Sequence, residues 1–257
     1  GNASQPLAAT DGDGDNLTWS VLIPPSNGTA TVSGAGASPT TFSYQSNLDF
    51  NGTDSFTFTA SDDEFTSNEA TVIIIVNPVN DVPVADDQDV STDEDTPLAI
   101  TMTGSDVDGD NLTFTVISGP SNGSYDGTTY TPGTNFNGSD SFTFEASDSE
   151  YSASATVSIT VNAVNDAPTI ELPESLIFEE DGGLTEDFSG YLSDIDEDDL
   201  TLTVSGNESI SVSIDGFAVT FGAQQDFNGT ETLTFTVNDN QRRAIASDSL
   251  DIHVNPI

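Results

Sequence analysis

The chain has 257 residues, of which 44 are Asp or Glu and only two are Lys or Arg, so its formal net charge at pH 7 is −42. This balance excludes binding to a nucleic-acid backbone or to an anionic lipid surface, because both depend on clustered Lys and Arg. No apolar run approaches the roughly 18 residues of a membrane-spanning helix, so we expect no direct membrane insertion. The absence of Cys excludes disulfides and thiolate metal sites.

Three copies of one pattern follow each other along the chain. The segment Asp-Gly-Asp-Asn-Leu occurs at Asp13–Leu17 and again at Asp108–Leu112, and a diverged copy follows at Asp196–Leu200. A Phe-Asn-Gly turn also recurs, beginning at Phe50, Phe136 and Phe227. Self-similarity at a fixed spacing is typical of a tandem array of domains.

Two similar linkers separate the copies, at Val76–Pro83 and Val161–Pro168. They predict three domains, at residues 1–79, 80–164 and 165–257. The first copy begins near Leu7, which corresponds to Leu98 in the second. We therefore expect the first domain to lack the opening strand that carries Glu94 in the second.

Apolar residues alternate with Ser and Thr within each copy. In chain order the first copy has three such segments, Leu17/Trp19/Val21, Phe56/Phe58/Ala60 and Val72/Ile74/Val76. Alternation over five to seven residues, bounded by Asn-Gly and Asp-Gly turns, predicts half-buried antiparallel strands. About seven such strands in a repeat of this length are typical of a β-sandwich. The predicted fold is therefore all-β, with three tandem Ig-like sandwiches in an extended array and with Trp19 in the first core.

Acidic residues gather at the strand ends and turns of every copy. The clusters are Asp11/Asp13/Asp15 and Asp62/Asp63 in the first copy, Glu94/Asp95, Asp106/Asp108/Asp110 and Asp148 in the second, and Glu180/Asp181, Asp194/Asp196 and Asp239 in the third. Two carboxylates about 4 Å apart repel by about 1 kcal/mol in water and about 4 kcal/mol at an effective dielectric of about 20. Calcium would relieve this repulsion, because it accepts six to eight oxygen ligands in loose geometry. The alternative is that Asp, Asn and Gly favour turns for purely local reasons.

The order of these motifs resembles the cadherin repeat. The second copy contains an early Glu94-Asp95, an Asp106-x-Asp108, an Ala146-x-Asp148 strand end and the linker Val164–Pro168. The same order is similar to the bacterial cadherin-like tandem repeats of large secreted surface proteins and adhesins. The resemblance covers essentially the whole chain, and it implies a cadherin-like sandwich in each repeat.

The resemblance also implies calcium between successive repeats. For the second junction it points to Glu94, Asp166, Asp194, Asp196 and Asp239, and for the first junction to Asp81, Asp106, Asp108 and Asp148. The clusters of the first copy add Asp11, Asp13 and Asp62 as candidate ligands. Cadherins have Asp-Arg-Glu in mid-repeat where this chain has Asp49-Phe50-Asn51 and its two counterparts, and its linkers begin with Asn. Fewer carboxylates imply that fewer ions bind or that they bind more weakly. The expected dissociation constants are about 10⁻⁴–10⁻³ M, which is typical of extracellular modules.

The predicted function is a calcium-binding spacer or adhesion region of an extracellular bacterial surface protein. An enzyme is not expected, because a chain with one His and no Lys or Cys offers no repeated pair of nucleophile and base. One alternative is a carbohydrate-binding module that contacts cell-surface glycans through exposed aromatic residues, for which the candidates are Tyr125, Tyr130, Tyr151 and Tyr191. The other is self-assembly, in which a neighbouring copy adds a strand to the open edge of the first repeat.

Overall fold

The computed structural model describes residues 7–39, 41–241 and 245–257, and within these ranges the fold is all-β apart from one 3-10 helix at Phe188–Tyr191. Arg242 and Arg243, which the sequence places in a loop, lie outside the described residues.

The first repeat contains β1 (Thr18–Ile23), β2 (Gly28–Ser33), β3 (Thr41–Ser46), β4 (Gly52–Ser61) and β5 (Ala70–Val76). The second contains β6 (Val84–Ala85), β7 (Gln88–Asp93), β8 (Leu98–Ala99), β9 (Gly104–Ser105), β10 (Thr113–Ser118), β11 (Gly123–Tyr125), β12 (Thr129–Pro132), β13 (Gly138–Ser147) and β14 (Ser152–Asn162). The third contains β15 (Thr169–Ile170), β16 (Ser175–Glu179), β17 (Gly183–Asp187), β18 (Leu192–Ser193), β19 (Thr201–Ser205), β20 (Ile210–Asp215), β21 (Ala218–Ala223), β22 (Gly229–Asn238) and β23 (Ile245–Asn255).

The chain divides into two compact units, and the division passes through the second repeat. The first unit holds the first repeat and the start of the second as far as Gln88, together with Thr101–Ser118 and Phe142–Val157. The second unit holds Asp89–Ile100, Gly119–Ser141 and Ser158–Ile257. The domain boundaries at residues 79/80 and 164/165 remain predictions.

Alternate residues of the long strands are buried, which confirms the predicted period of two. In β4 the buried apolar side chains are Phe56, Phe58 and Ala60, and the matching positions of β22 are also buried. Trp19 is 5% exposed and packs against the ring of Phe58, with 5.7 Å between the ring centroids. Trp19 is therefore a core residue, as predicted.

The repeats differ at the edge of one sheet. The strand order is β1–β4–β5 in the first repeat, β10–β13–β14–β7 in the second and β16–β23–β22–β19 in the third. In the third repeat β16 runs parallel to β23 and pairs with it from Ser175 to Glu179. Among the described residues no strand pairs with the outer side of β5.

A buried aspartate organises one turn in each of the first two repeats. Asp54 accepts hydrogen bonds from the backbone N–H groups of Ser26, Asn27 and Ser55 and from the hydroxyl of Tyr44, at 2.8–3.2 Å. Burial and then the hydrogen bond to Asp54 raise the pKa of Tyr44 to about 12. The second repeat has the same arrangement around Asp140, with Ser121, Asn122, Ser141 and Tyr130 as the donors.

Gly28 follows this turn at a point where two backbone segments approach closely. A Cβ atom on Gly28 would lie 2.4 Å from the carbonyl oxygen of Gln45 and 2.8 Å from the ring of Tyr44. We expect Gly28→Ala to destabilise the first repeat by about 1–3 kcal/mol, because overpacking forces the backbone to shift. Fluorescence of Trp19, the single tryptophan, reports unfolding of this repeat during urea denaturation.

Gly12→Ala is the matched control, since a Cβ atom at that position would meet nothing within 4 Å. If both variants unfolded at the same urea concentration as the parent chain, the close approach at Gly28 would have no energetic importance.

Candidate metal sites

Each repeat contains the same acidic turn, in which one aspartate carboxylate binds the backbone that follows it. In the second repeat, Oδ1 of Asp106 accepts hydrogen bonds from the N–H groups of Asp108 at 2.8 Å and Asp110 at 3.4 Å. Asp194 in the third repeat and Asp11 in the first accept the corresponding two bonds. Local turn chemistry therefore explains one oxygen of the leading aspartate in every turn.

These turns bring carboxylates together in three groups. In each group one oxygen per residue lies within 4.8 Å of the others, and the groups are Asp11/Asp15/Asp62, Asp106/Asp108/Asp110 and Asp194/Asp196/Asp198. Asp15, Asp110 and Asp198 were not among the predicted ligands, whereas the predicted ligand Asp13 is not a member of the first group. The sequence signal for the three additional residues is their position four residues after the leading aspartate.

The second junction is formed by the linker residues Asn165 and Asp166 and by acidic residues of the third repeat. The N–H group of Asp166 donates to Oδ2 of Asp196 at 2.7 Å. The side-chain amide of Asn165 donates to Oδ2 of Asp239 at 2.8 Å, and Asp239 is only 1% exposed. The linker therefore lies against the acidic turn. Asn165, which was not among the predicted ligands, is also part of this junction.

Glu94 of the second repeat also reaches the second junction. Its side chain is 5% exposed, and its Oε1 accepts a hydrogen bond from the N–H group of Val164. The negative charge of Glu94 is one cause of the raised pKa of Asp166. Of the five ligands predicted for this junction, Asp166 is a linker residue, Glu94, Asp196 and Asp239 accept hydrogen bonds from the linker, and Asp194 belongs to the acidic turn that faces it.

The first junction repeats this geometry. The N–H group of Asp81 donates to Oδ2 of Asp108 at 2.8 Å, and the side-chain amide of Asn80 donates to Oδ2 of Asp148 at 2.9 Å. Asp49 joins the site, because it lines a cleft together with Asp81 and Asp108. The sequence prediction missed Asp49, although it singled out the turn in which this residue lies. All residues of the first junction belong to the first unit, and all residues of the second junction belong to the second unit.

Three carboxylate oxygens in these junctions are buried and have no hydrogen-bond partner among the described residues. They are Oδ2 of Asp106 at the first junction and Oδ2 of Asp166 and Asp194 at the second. A buried polar atom without a partner costs about 1–3 kcal/mol, and more when it is charged. Turn formation leaves these oxygens unexplained, because the turns use only the Oδ1 atoms of Asp106 and Asp194.

Neighbouring negative charges act on the two linker aspartates. Burial, followed by the charges of Asp108, Asp49 and Asp106, raises the pKa of Asp81. Burial also raises the pKa of Asp166, followed by the charges of Asp196 and Glu94 and of two further carboxylates. Both linker carboxylates therefore lie in a negative environment, where a cation would favour their charged form.

The tyrosines proposed for carbohydrate binding do not form an exposed aromatic surface. Tyr130 is completely buried and donates its hydroxyl hydrogen bond to Asp140 at 2.9 Å, so its assignment as a sugar platform is wrong. Tyr125 and Tyr191 are half-buried, and Tyr151 is 43% exposed.

Solved structures with a similar fold include extracellular cadherin domains. The human CDH23 EC21-23 structure matches 92% of this chain and 88% of its own length, with a TM-score of 0.60 and 15% identity. The protocadherin GammaB4 extracellular domain matches 96% of this chain and 46% of its own length, with a TM-score of 0.53 and 17% identity. At 15% and 17% identity, these similarities show a shared fold and nothing about function.

An endo-fucoidan hydrolase from glycoside hydrolase family 107 also matches 94% of the chain at 22% identity, but its TM-score is 0.31. The chain spans only 39% of that hydrolase. A comparison with curated protein sequences found no match.

The sequence profile of the bacterial Ig domain matches the chain three times, at residues 2–75, 80–160 and 165–253. Within the described ranges no helix is long and apolar enough to cross a bilayer. The chain therefore belongs to the bacterial Ig domain family and carries three tandem copies of the domain, each similar in fold to a cadherin repeat.

Proposed function

We propose that this chain is a calcium-dependent spacer or adhesion region of an extracellular bacterial protein, with calcium bound at both junctions between repeats. Bacterial Ig domains and cadherin-like folds are typical of extracellular proteins, and a tandem array of them suggests a non-catalytic module. The observation that carries the proposal is the set of three buried carboxylate oxygens at the two junctions that have no hydrogen-bond partner in the described part of the chain.

The donor set fits calcium better than a transition metal. Every candidate ligand is a carboxylate or amide oxygen, and the chain contains no Cys and only one His. Calcium accepts oxygen ligands in flexible geometry, whereas magnesium requires a near-ideal octahedron and gives up its water reluctantly. Calcium could therefore neutralise these carboxylates without requiring a rigid, preformed arrangement of ligands.

Each junction has its own ligands for an ion. At the second junction these are Glu94, Asp166, Asp194, Asp196 and Asp239, and at the first they are Asp81, Asp106, Asp108 and Asp148, with Asp49 as an addition from the structure. Because each set includes residues from both sides of a linker, a bound ion would restrict bending between neighbouring repeats. The remaining group, Asp11 with Asp15 and Asp62, has the same turn but no linker beside it in the described residues.

Isothermal titration of the calcium-free chain tests the proposal. We expect calcium to bind at both junctions, with dissociation constants in the range of about 10⁻⁴–10⁻³ M. Asp166→Asn should remove binding at the second junction and leave the first, and Asp81→Asn should do the opposite. Either substitution removes one charge from a linker while preserving the shape of its side chain.

The control is Asp89→Asn, which removes one charge from an exposed position of β7. If Asp89→Asn weakened calcium binding as much as Asp166→Asn did, the ions would be responding to net charge and not to the junctions. Absence of calcium binding by the parent chain would refute the proposal.

A further inference from the structure

One of the Asn-Gly pairs of the chain lines the cleft at the first junction. Asn51 contributes to this cleft together with Asp49, Asp81 and Asp108. The residue that follows it, Gly52, is the first residue of β4, and both residues of the pair are exposed. An uncharged amide therefore shares the cleft with the carboxylates to which we assign a calcium ion.

An asparagine that precedes a glycine can convert itself into an aspartate. The backbone nitrogen of Gly52 would form a bond to Cγ of Asn51 and give up its proton, while the bond from Cγ to the side-chain nitrogen breaks and ammonia leaves. Water then opens the cyclic imide. Hydrolysis of either imide bond leaves a carboxylate in place of the amide, and glycine favours the first step because no Cβ atom obstructs the approach.

The surroundings of Asn51 leave its side chain free to react. The matching Asn228 of the third repeat donates its side-chain amide to Oε2 of Glu180 at 3.2 Å. Within the part of the chain that the structure describes, the side chain of Asn51 has no such bond. Because the side chain must rotate onto the backbone nitrogen of the next residue, the bond to Glu180 should slow the reaction at Asn228.

We propose that Asn51 is a self-modification site, and that its conversion to a carboxylate strengthens calcium binding at the first junction. The inference rests on the calcium sites proposed above. Calcium affinity increases with the number of charged ligands, and an additional carboxylate increases the repulsion in the cleft when no cation is bound. Since the reaction consumes only water, the first junction would become more dependent on calcium as the protein ages, without any enzyme.

Peptide mass spectrometry of the folded chain, stored in mildly alkaline buffer with chelator, measures the conversion. We expect a carboxylate to accumulate faster at Asn51 than at Asn228, which lies in an identical Phe-Asn-Gly-Thr segment. The Asn51→Gln variant should stay unmodified at this position, because its longer side chain would have to close a larger ring. Storage in urea gives the reference rate of the unfolded chain. Conversion of Asn51 in urea but not in the folded chain, or no faster than that of Asn228, would overturn the proposal.

Isothermal titration with calcium measures the consequence. In the Asp166→Asn background we expect binding at the first junction alone, and adding Asn51→Asp should lower its dissociation constant by at least about threefold, since a charged ligand replaces a neutral one. Asn228→Asp in the same background is the matched control. It introduces the same charge into the same turn of the third repeat, outside the first junction, and should leave this dissociation constant unchanged.

Two results would overturn the inference and leave the proposed function intact. One is an unchanged calcium affinity in the Asn51→Asp chain, and the other is equal tightening by Asn228→Asp, which would mean that net charge controls binding. Absence of calcium binding by the parent chain and by every variant would refute the proposed function and the regulatory role of Asn51 together. Mass spectrometry separates these cases, because it measures the conversion in the absence of calcium.

Discussion

Millimolar calcium is expected to raise the melting temperature of the chain by several degrees, and magnesium at equal ionic strength is expected to raise it far less. A ligand that binds only the folded state adds stability according to RT ln(1 + [L]/Kd), which at about 1 mM calcium and a Kd of about 10⁻⁴–10⁻³ M is about 0.4–1.4 kcal/mol per site. For a chain of about 150–250 residues, each kcal/mol corresponds to roughly 2–4 °C. Circular dichroism during heating, with calcium, magnesium or chelator, measures the shift.

Single substitutions should separate the contributions of the two junctions to the calcium-induced rise in melting temperature. Asp166→Asn and Asp81→Asn should each remove part of the calcium-induced shift, and the double variant should remove most of it. Asp89→Asn should keep the full shift, because that exposed residue lies in β7 and outside both junctions. An equal shift with magnesium or with sodium chloride would mean that the carboxylates respond to screening alone, and the proposed ion sites would then be wrong.

The strands were predictable from the sequence because their cores have a period of two. Phe56, Phe58 and Ala60 are buried as the alternation requires, and the outward Ser and Thr residues made the pattern easy to recognise. Local periodicity was sufficient for this feature.

The membership of the acidic groups was only partly predictable. Alternation in an extended chain places Asp11 and Asp13 on the same side, but the turn is not extended. Gly14 has a φ of +85°, which reverses the chain and brings Asp15 back to Asp11. In the third repeat a non-glycine residue, Glu197, adopts a φ of +62° at the same point. The fifth residue of the turn therefore replaces the third in the first group.

Contacts between distant segments were not predictable from local patterns. Asp49 lines the same cleft as Asp81 although 32 positions of sequence separate them, and no spacing rule connects the two.

The burial of Tyr130 did have a signal in the sequence, because Tyr44 precedes Asp54 by ten residues and Tyr130 precedes Asp140 by ten. An equal spacing of a hydroxyl donor and an acidic acceptor in two repeats indicates a shared buried contact.

Asp54→Ala is expected to destabilise the first repeat by about 3 kcal/mol, because four partly buried donors lose a buried acceptor and an unsatisfied buried donor costs about 1–3 kcal/mol. The donors are the N–H groups of Ser26, Asn27 and Ser55 and the hydroxyl of Tyr44. Urea denaturation followed by Trp19 fluorescence should show a lower midpoint with an unchanged slope. Glu69→Ala is the control, since Glu69 is exposed in the same repeat.

The same contact sets the response of the first repeat to acid. Burial alone would raise the pKa of Asp54, but the hydrogen bonds from Tyr44 and from Ser55, Asn27 and Ser26 outweigh it and lower the pKa below its usual value of 3.8. The folded state therefore binds fewer protons than the unfolded state near that value, so the stabilisation is present above pH 3.8 and is lost as the pH falls below it. Asp54→Ala should lose this part of the pH dependence while Glu69→Ala keeps it. A variant with the same acid sensitivity as the parent chain would show that Asp54 is not the group whose protonation weakens the first repeat.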